Sequence, residues 1–276
     1  MRPLVDLWRD PWKTAKCVFT SFSVLFTLVT AITHFVPAIK IEGLFALTVA
    51  AAISIGFGLN KIWKPSRIEM PLANCNTVIE VLFGDLFEQE GLRAIAVTEF
   101  FDSTLGKPVS DKSVHGIFLQ RAFDGYAQPF DAQVDEQLKD IEGCEVKKVE
   151  GKTKSYPIGS TALLSVNQDH YLAFALAKAD PNTCKAYTDV TMMWVALHAL
   201  WQRARIESGG HAVNLPLVGS GLSGLGLPTR DLLNLIILSA ITETKSKEVM
   251  QRIRIILHRS RFDDLDLRDV KQHWKE

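Results

Sequence analysis

Cysteine is scarce in this chain of 276 residues, and what there is lies scattered. Cys17, Cys75, Cys144 and Cys184 form no C-x-x-C pair and have no histidine at ligand spacing. This excludes a zinc ribbon or a dithiol redox motif and leaves structural thiols in a reducing compartment. An excess of either charge is also missing, with 31 basic residues against 31 acidic ones. Without a basic footprint the chain is a poor binder of nucleic acid, so no nucleic-acid partner is expected. The balance is uneven along the chain: residues 1–69 carry eight Lys/Arg and four Asp/Glu, a net +4, so the remainder carries −4.

Two stretches lack charge altogether. Between Lys16 and Lys40 lie 23 residues without Asp, Glu, Lys or Arg, and between Glu42 and Lys61 lie 18 more. A bilayer span takes about 20 predominantly apolar residues. The two runs therefore predict transmembrane helices at about 17–39 and 43–60, with Pro37 breaking the first near the turn. A signal peptide competes for the first run, but no clear cleavage site follows it and a second apolar run comes at once. Arg2, Arg9, Lys13 and Lys16 precede the first run, and Lys61, Lys64 and Arg67 follow the second. Positive flanks place both ends, and everything after about residue 70, in the cytoplasm. Membrane lipid is thus one expected partner. Ala52 and Gly56 lie one turn apart, and this small face either packs the hairpin on itself or joins copies of the chain. His34 is read as an interfacial residue.

The expected organisation is a cytoplasmic segment at 1–16, the hairpin at 17–60, a juxtamembrane linker at 61–75 and a cytosolic domain at 76–276. Within that domain TVIEVLF (77–83) and AIAVTEFF (94–101) read as strands. ALLSV (162–166) and YLAFALA (171–177) flank Asn167-Gln168-Asp169 as a hairpin, and Asp180-Pro181-Asn182 breaks the pattern. A helix is predicted over 188–207, with Met192, Val195, Ala196, Ala199 and Leu200 on its buried face and Gly209-Gly210 ending it. The strand HAVNLPLV (211–218), a helix over 229–242 and the strand RIRIILH (252–258) follow. Strand and helix in alternation predict an α/β domain with a mixed sheet. Region 102–160, rich in charge, glycine and proline, yields no pattern, and 120–155 reads as an insertion of open role.

The chemistry is concentrated in Gly219-Ser220-Gly221-Leu222-Ser223-Gly224-Leu225-Gly226, between a strand end and a helix start. Successive backbone N–H groups at such a place form an anion nest, reinforced by the helix N-terminus. Gly219, Gly221 and Gly224 also fit the spacing of a dinucleotide fingerprint. However, Pro228 and Thr229 put the helix start after the motif, and the loop lies in the last βαβ unit. A purely structural glycine loop is the remaining alternative.

The run Leu215–Gly224 resembles the second phosphate-binding loop of macro domains, which bind ADP-ribose. Val81-Leu82-Phe83-Gly84-Asp85-Leu86 is similar to their first strand with its Gly-Asp ending, and Tyr156–Ser160 to their Pro-x-Gly turn. The resemblance spans about residues 77–262 and implies a three-layer macro-like fold. It implies that Asp85, with Leu86 beside it, receives the adenine amino group and that residues 219–224 hold the pyrophosphate. His258 or Arg259 would then stack on the adenine, and loop 102–113 would close over the distal ribose. Where many macro domains that hydrolyse ADP-ribose linkages carry Asn-x-x-Asn, this chain has Thr98-Glu99-Phe100-Phe101-Asp102. Thr98, Glu99 and Asp102 are expected to touch ligand and not to catalyse, with a salt-bridged or solvated carboxylate as the plainer reading of Glu99 and Asp102 than an acid or base, and no cofactor or metal is implied.

Two spans and a cytosolic macro-like domain are also similar to the membrane-anchored macro effectors of bacterial Thoeris anti-phage systems. That likeness implies a sensor in the bacterial inner membrane for an ADP-ribose-derived messenger made by a TIR-domain partner. The messenger would drive homo-oligomeric assembly, membrane disruption and abortive infection. A membrane-tethered ADP-ribosyl hydrolase using Glu99 or Asp102 is the main alternative, and a protein-binding adaptor a third. His115, His170, His198, His211 and His273 are expected in the core or on the surface. Arg252, Arg254, Arg259 and Arg261 are expected on a solvated strand face, with Arg259 also within reach of a phosphate.

Overall fold

The computed structural model describes residues 11–36, 43–221 and 224–274 and divides into two compact units. The first holds residues up to 66 with 266–268, and the second holds 67–265 with 269–276.

The first unit is built from α1 (Pro11–Phe35) and α2 (Gly43–Ile62), which pack on one another. Their hydroxyls are silenced within each helix: Ser21 donates to the Cys17 carbonyl at 2.7 Å and Ser54 to the Ala50 carbonyl at 2.7 Å. Such bonds let an apolar helix carry Ser and Thr without unpaired donors. The stretch Thr14–Phe35, 22 residues with mean hydropathy 1.8 and none of it buried inside the protein, is long and apolar enough to cross a bilayer. The apolar part of α2, Leu47–Ile62, is shorter. The α1–α2 contact does not use the Ala52–Gly56 face, so of the two roles open to that face the packing of the helix pair on itself is not met. A Cβ added at Gly58 would lie 2.5 Å from Val18 Cγ2, and Ser54 is buried, whereas Ala52 and Gly56 are exposed and Gly56 has nothing within 4 Å. The small pair that seats the helices is thus Ser54–Gly58, two positions along. Pro37 lies outside the described residues, as do Arg2, Arg9, Lys40 and Glu42.

The second unit is a twisted sheet in the order β1-β2-β10-β9-β3-β7-β6, with β8 attached to β7. Its strands are β1 (Arg67–Pro71), β2 (Val78–Gly84), β3 (Leu92–Thr98), β6 (Thr161–Val166), β7 (Asp169–Ala179), β8 (Ala186–Tyr187), β9 (Val213–Pro216) and β10 (Arg252–His258), while β4 (Cys144–Glu145) and β5 (Lys154–Ser155) form a separate antiparallel pair. The five central strands run parallel, and β1 and β6 close the edges antiparallel. Parallel strands are covered on both faces, which is why residues 94–97 of β3 and residues 255–257 of β10 are apolar at consecutive positions. β1 falls inside the stretch expected to be a linker; its sequence, RIEMP, has too few apolar residues to be recognised as a strand.

On one face α3 (Val114–Phe123) and α4 (Ala127–Gln137) bury Phe118, Phe123, Phe130 and Val134 against Ile95, Val97, Tyr171 and Ala173. Alternate residues of β7, Leu172 and Phe174, are equally buried, so the other face needs its own layer. α5 (Val190–Glu207) packs on β7, and α6 (Thr229–Ser246) packs on α5. The buried stripe of α5 is Met193, Ala196, Leu197, Leu200, Trp201 and Ala204, which displaces the expected face by about one residue. Val195 is exposed and Met192 and Ala199 are half-buried, while Trp201 donates to Ser239 of α6 at 3.0 Å. After β10 the chain closes with α7 (Leu267–His273), and Trp274 donates to Asn234 of α6 at 3.0 Å.

Arg252 and Arg254 do not lie on a solvated face. Glu80, 1% exposed, takes Arg67 at 2.7 Å, Arg252 at 2.9 Å and Arg254 at 3.2 Å. Three guanidinium groups around one buried carboxylate tie β1, β2 and β10 together and compensate a charge that would otherwise be prohibitive there.

Candidate ligand-binding site

Ligands of open parallel sheets settle beyond the carboxyl ends of the strands, where the strand order reverses. Here β2 is followed in space by β10 and β9 but in sequence by β3, so that crevice opens across β2, β10, β9 and β3. At about 4.8 Å per strand, the three steps from β2 to β3 span roughly 14 Å. Most of the residues singled out from sequence leave the sheet at this edge.

At the β2 end, Gly84 pairs with His258, so Asp85 and Arg259 emerge side by side. Asp85 caps the single 3-10 turn Leu86–Glu88: Oδ1 accepts from the Phe87 amide at 3.0 Å, and Oδ2 accepts from Arg121 at 2.9 Å. Burial raises the pKa of this carboxyl, but the Phe87 amide, Arg121 and Arg259 outweigh it and hold it below its ordinary value. Asp85 is therefore a half-buried, ionised acceptor with spare lone pairs. The Leu86 side chain is buried in the core, leaving only its backbone at the site. His258 is exposed, with Nδ1 2.8 Å from Ser260 Oγ, and Arg259 reaches Glu88 at 3.2 Å.

At the β9 end the glycine loop begins. Gly219 has φ +78°, and a Cβ there would press on Leu225 and Leu232 at 3.0 and 3.1 Å, so both backbone and packing demand glycine. Ser220 donates to the Leu217 carbonyl at 2.8 Å, the Gly224 amide to Gly221 at 2.9 Å and the Leu225 amide to Gly219 at 3.1 Å. A Cβ at Gly224 would sit 2.7 Å from the Gly221 carbonyl, whereas one at Gly221 would meet nothing within 4 Å among the described residues. Leu222 and Ser223 lie outside the described residues. The loop runs into α6, whose N-cap Pro228 gives no side-chain cap; the Asp231 amide donates to the Pro228 carbonyl at 3.0 Å, which leaves the Thr229 and Arg230 amides to face an anion. Loop, helix start and Arg261 line a cleft of about 470 Å³. Arg261 was missed as a site residue because the alternation of basic residues was extended past His258. The strand stops there, and the turn Arg259–Arg261 folds Arg261 back toward the loop.

The β3 end behaves differently. Thr98 Oγ1 is buried and has no hydrogen-bond partner among the described residues. The Glu99 amide donates to Ala177 at 2.8 Å, and its carbonyl accepts from Tyr156 at 2.9 Å. Asp102, expected to face ligand, is 1% exposed and is occupied from within by Lys148 and by the Lys152 amide at 2.8 Å. Its carboxylate is not available to a ligand or a water nucleophile. Loop 102–113 is ordered by its own bonds, with Gly106 donating to Asp111 at 3.1 Å and Ser113 capping α3.

Solved structures of the same shape are macrodomains. An Oceanobacillus iheyensis macrodomain with ADP superposes with TM-score 0.53 at 10% identity, covering 76% of this chain and 98% of that one. A variant of that macrodomain with ADPR gives TM-score 0.53 at 12% identity, covering 76% and 100%. At these identities the likeness establishes the fold. No curated protein matches the sequence. Residues 79–258 match the family described as Thoeris protein ThsA, Macro domain. That match covers well over half of the chain, which therefore belongs to the Thoeris ThsA macro-domain family.

Proposed function

We propose that this protein is a membrane-anchored sensor of an ADP-ribose-derived nucleotide in Thoeris anti-phage defence. The observation that carries the reading is the glycine loop. At Gly219 glycine is explained by backbone and packing, but at Gly221 neither requires it among the described residues, since φ is not positive and a Cβ would meet none of them. Close approach of a ligand to the backbone is the physical reason that remains, and a pyrophosphate fits the amides of the loop and α6 and the charge of Arg261. Asp85 then accepts from the adenine amino group about two strand spacings away, with His258 and Arg259 beside the ring. Thr98 Oγ1, a buried polar atom without a partner among the described residues, then bonds a hydroxyl of the distal sugar.

Sensing without turnover is favoured by the fate of Asp102: a carboxylate enclosed by Lys148 and the Lys152 amide cannot serve as acid or base for hydrolysis. The output runs through α1 and α2 as a transmembrane hairpin with cytoplasmic termini in the bacterial inner membrane. Messenger made by a TIR-domain partner shifts the population toward an oligomer that disrupts the membrane, by binding that state more tightly. Calorimetric titration of the full chain in lipid nanodiscs with ADP-ribose, followed by chromatography of the ligand, tests the reading. Saturable binding of a ligand recovered intact supports a sensor, and its breakdown would establish the hydrolase instead.

A further inference from the structure

The insertion-like segment that follows α4 is stitched to the carboxyl ends of β3 and β7 by bonds of several kinds. The Tyr156 amide donates to the Glu99 carbonyl at 2.9 Å, and the Val149 amide to the Pro181 carbonyl at 3.0 Å. Cys184 Sγ approaches the Glu150 carbonyl at 3.7 Å, and Lys152 Nζ lies 2.6 Å from Asp131 of α4. At its centre is a completely enclosed ion pair: the Lys148 side chain is 0% exposed and the Asp102 side chain 1%, at 2.5 Å from Nζ to Oδ2. Lys148 also lies 4.1 Å from the centre of the Phe100 ring. Gly151 has φ +86° and passes so close that a Cβ there would collide with Asp102 Oδ1.

Enclosing two charges gains little stability over an apolar pair of the same volume, because desolvation offsets the attraction. What an ion pair adds is direction, since Asp102 must point at Lys148 and the Lys152 amide together. That direction fixes the path of the chain leaving β3, from Glu99 to Ser103, at the end of the crevice farthest from Asp85.

We propose that residues 148–156 are the specificity wall of the pocket, and that Asp102 and Lys148 are positioning residues that hold the β3 exit loop in the shape of the group on the distal sugar. This rests on the ADP-ribose reading above. The wall is bonded to the carboxyl ends of β3 and β7, the strands next in order after β9, where the glycine loop begins, so it discriminates between ligands that end at the diphosphate and ligands that continue past it. It leaves the adenosine end untouched.

The test uses the full chain in nanodiscs, titrated with ADP and with ADP-ribose. The parent is expected to prefer ADP-ribose by about tenfold or more, and the double variant D102N/K148M to lose most of that preference while its ADP affinity stays within about twofold. Gly151→Ala, which pushes on Asp102 without removing a charge, is expected to change the same ratio if the double variant does not fold. A merely structural role would weaken both ligands together or neither. An unchanged ratio in variants that bind ADP overturns the wall alone. A parent that binds neither nucleotide overturns the ADP-ribose reading and the wall with it.

Discussion

Asp85 is already ionised and oriented before any ligand arrives, because the Phe87 amide and Arg121 fix it. Its replacement by alanine is expected to cost nucleotide binding about 1.5–3 kcal/mol, the worth of a hydrogen bond to a charged group, as read by calorimetry. Since its pKa is held low, affinity should stay flat from neutrality down to the ordinary carboxylate range. His115 titrates with the opposite consequence. Burial, with a lesser push from Lys152, lowers it to about 3, and its Nε2 has no partner among the described residues. The unfolded chain therefore binds the proton first, near pH 6.5, and stability falls as pH drops from there toward 3, by up to about 1.4 kcal/mol per pH unit. His115→Phe is expected to flatten this acid limb in urea unfolding measured at pH 7, 6 and 5. A limb as steep as the parent's would show that the ring is not the source.

At the scale of elements, the glycine loop separates structural glycines from functional ones. Gly221→Ala is expected to leave the melting temperature within about 2 °C, a surface-like change, yet weaken ADP-ribose binding at least about tenfold. Gly224→Ala, which presses on the Gly221 carbonyl, should lower both. The Glu80 cluster works on the sheet edge: Glu80→Ala leaves three partly exposed arginines without their shared carboxylate, two of which keep Glu69, and is expected to cost about 1–3 kcal/mol in denaturant unfolding.

These elements also show what was legible in the sequence. β10 (Arg252–His258) and the β6–β7 hairpin were readable because their apolar runs are bounded by turns, with Asn167 tolerating φ 56°. α3 and α4 were not, because α4 buries only Phe130 and Val134 and its pattern is lost among polar residues. The loop and Asp85 carry local signals, whereas Asp102, Lys148 and Arg261 acquire their roles through contacts 30–50 residues distant, or through a turn that periodicity does not register.

At the scale of the whole molecule, four residues, 63–66, separate α2 from β1 of the macro fold in sequence. β1 is the edge partner of β2, and Arg67 pairs with Leu82, two residues before the Gly84 that precedes Asp85. The helix pair is thus followed in sequence by the strand beside β2, whose end carries Asp85. Nucleotide is expected to convert the full chain in lipid vesicles into a form that releases an entrapped dye, and Asp85→Ala to need at least about tenfold more ligand for the same release.

Titration of the full chain with ADP-ribose, with ligand integrity checked afterwards, reaches the central claim most directly. Saturable binding of intact ligand, abolished by Gly221→Glu and weakened by Asp85→Ala, is the predicted result. No binding, or binding indifferent to both substitutions, would contradict it.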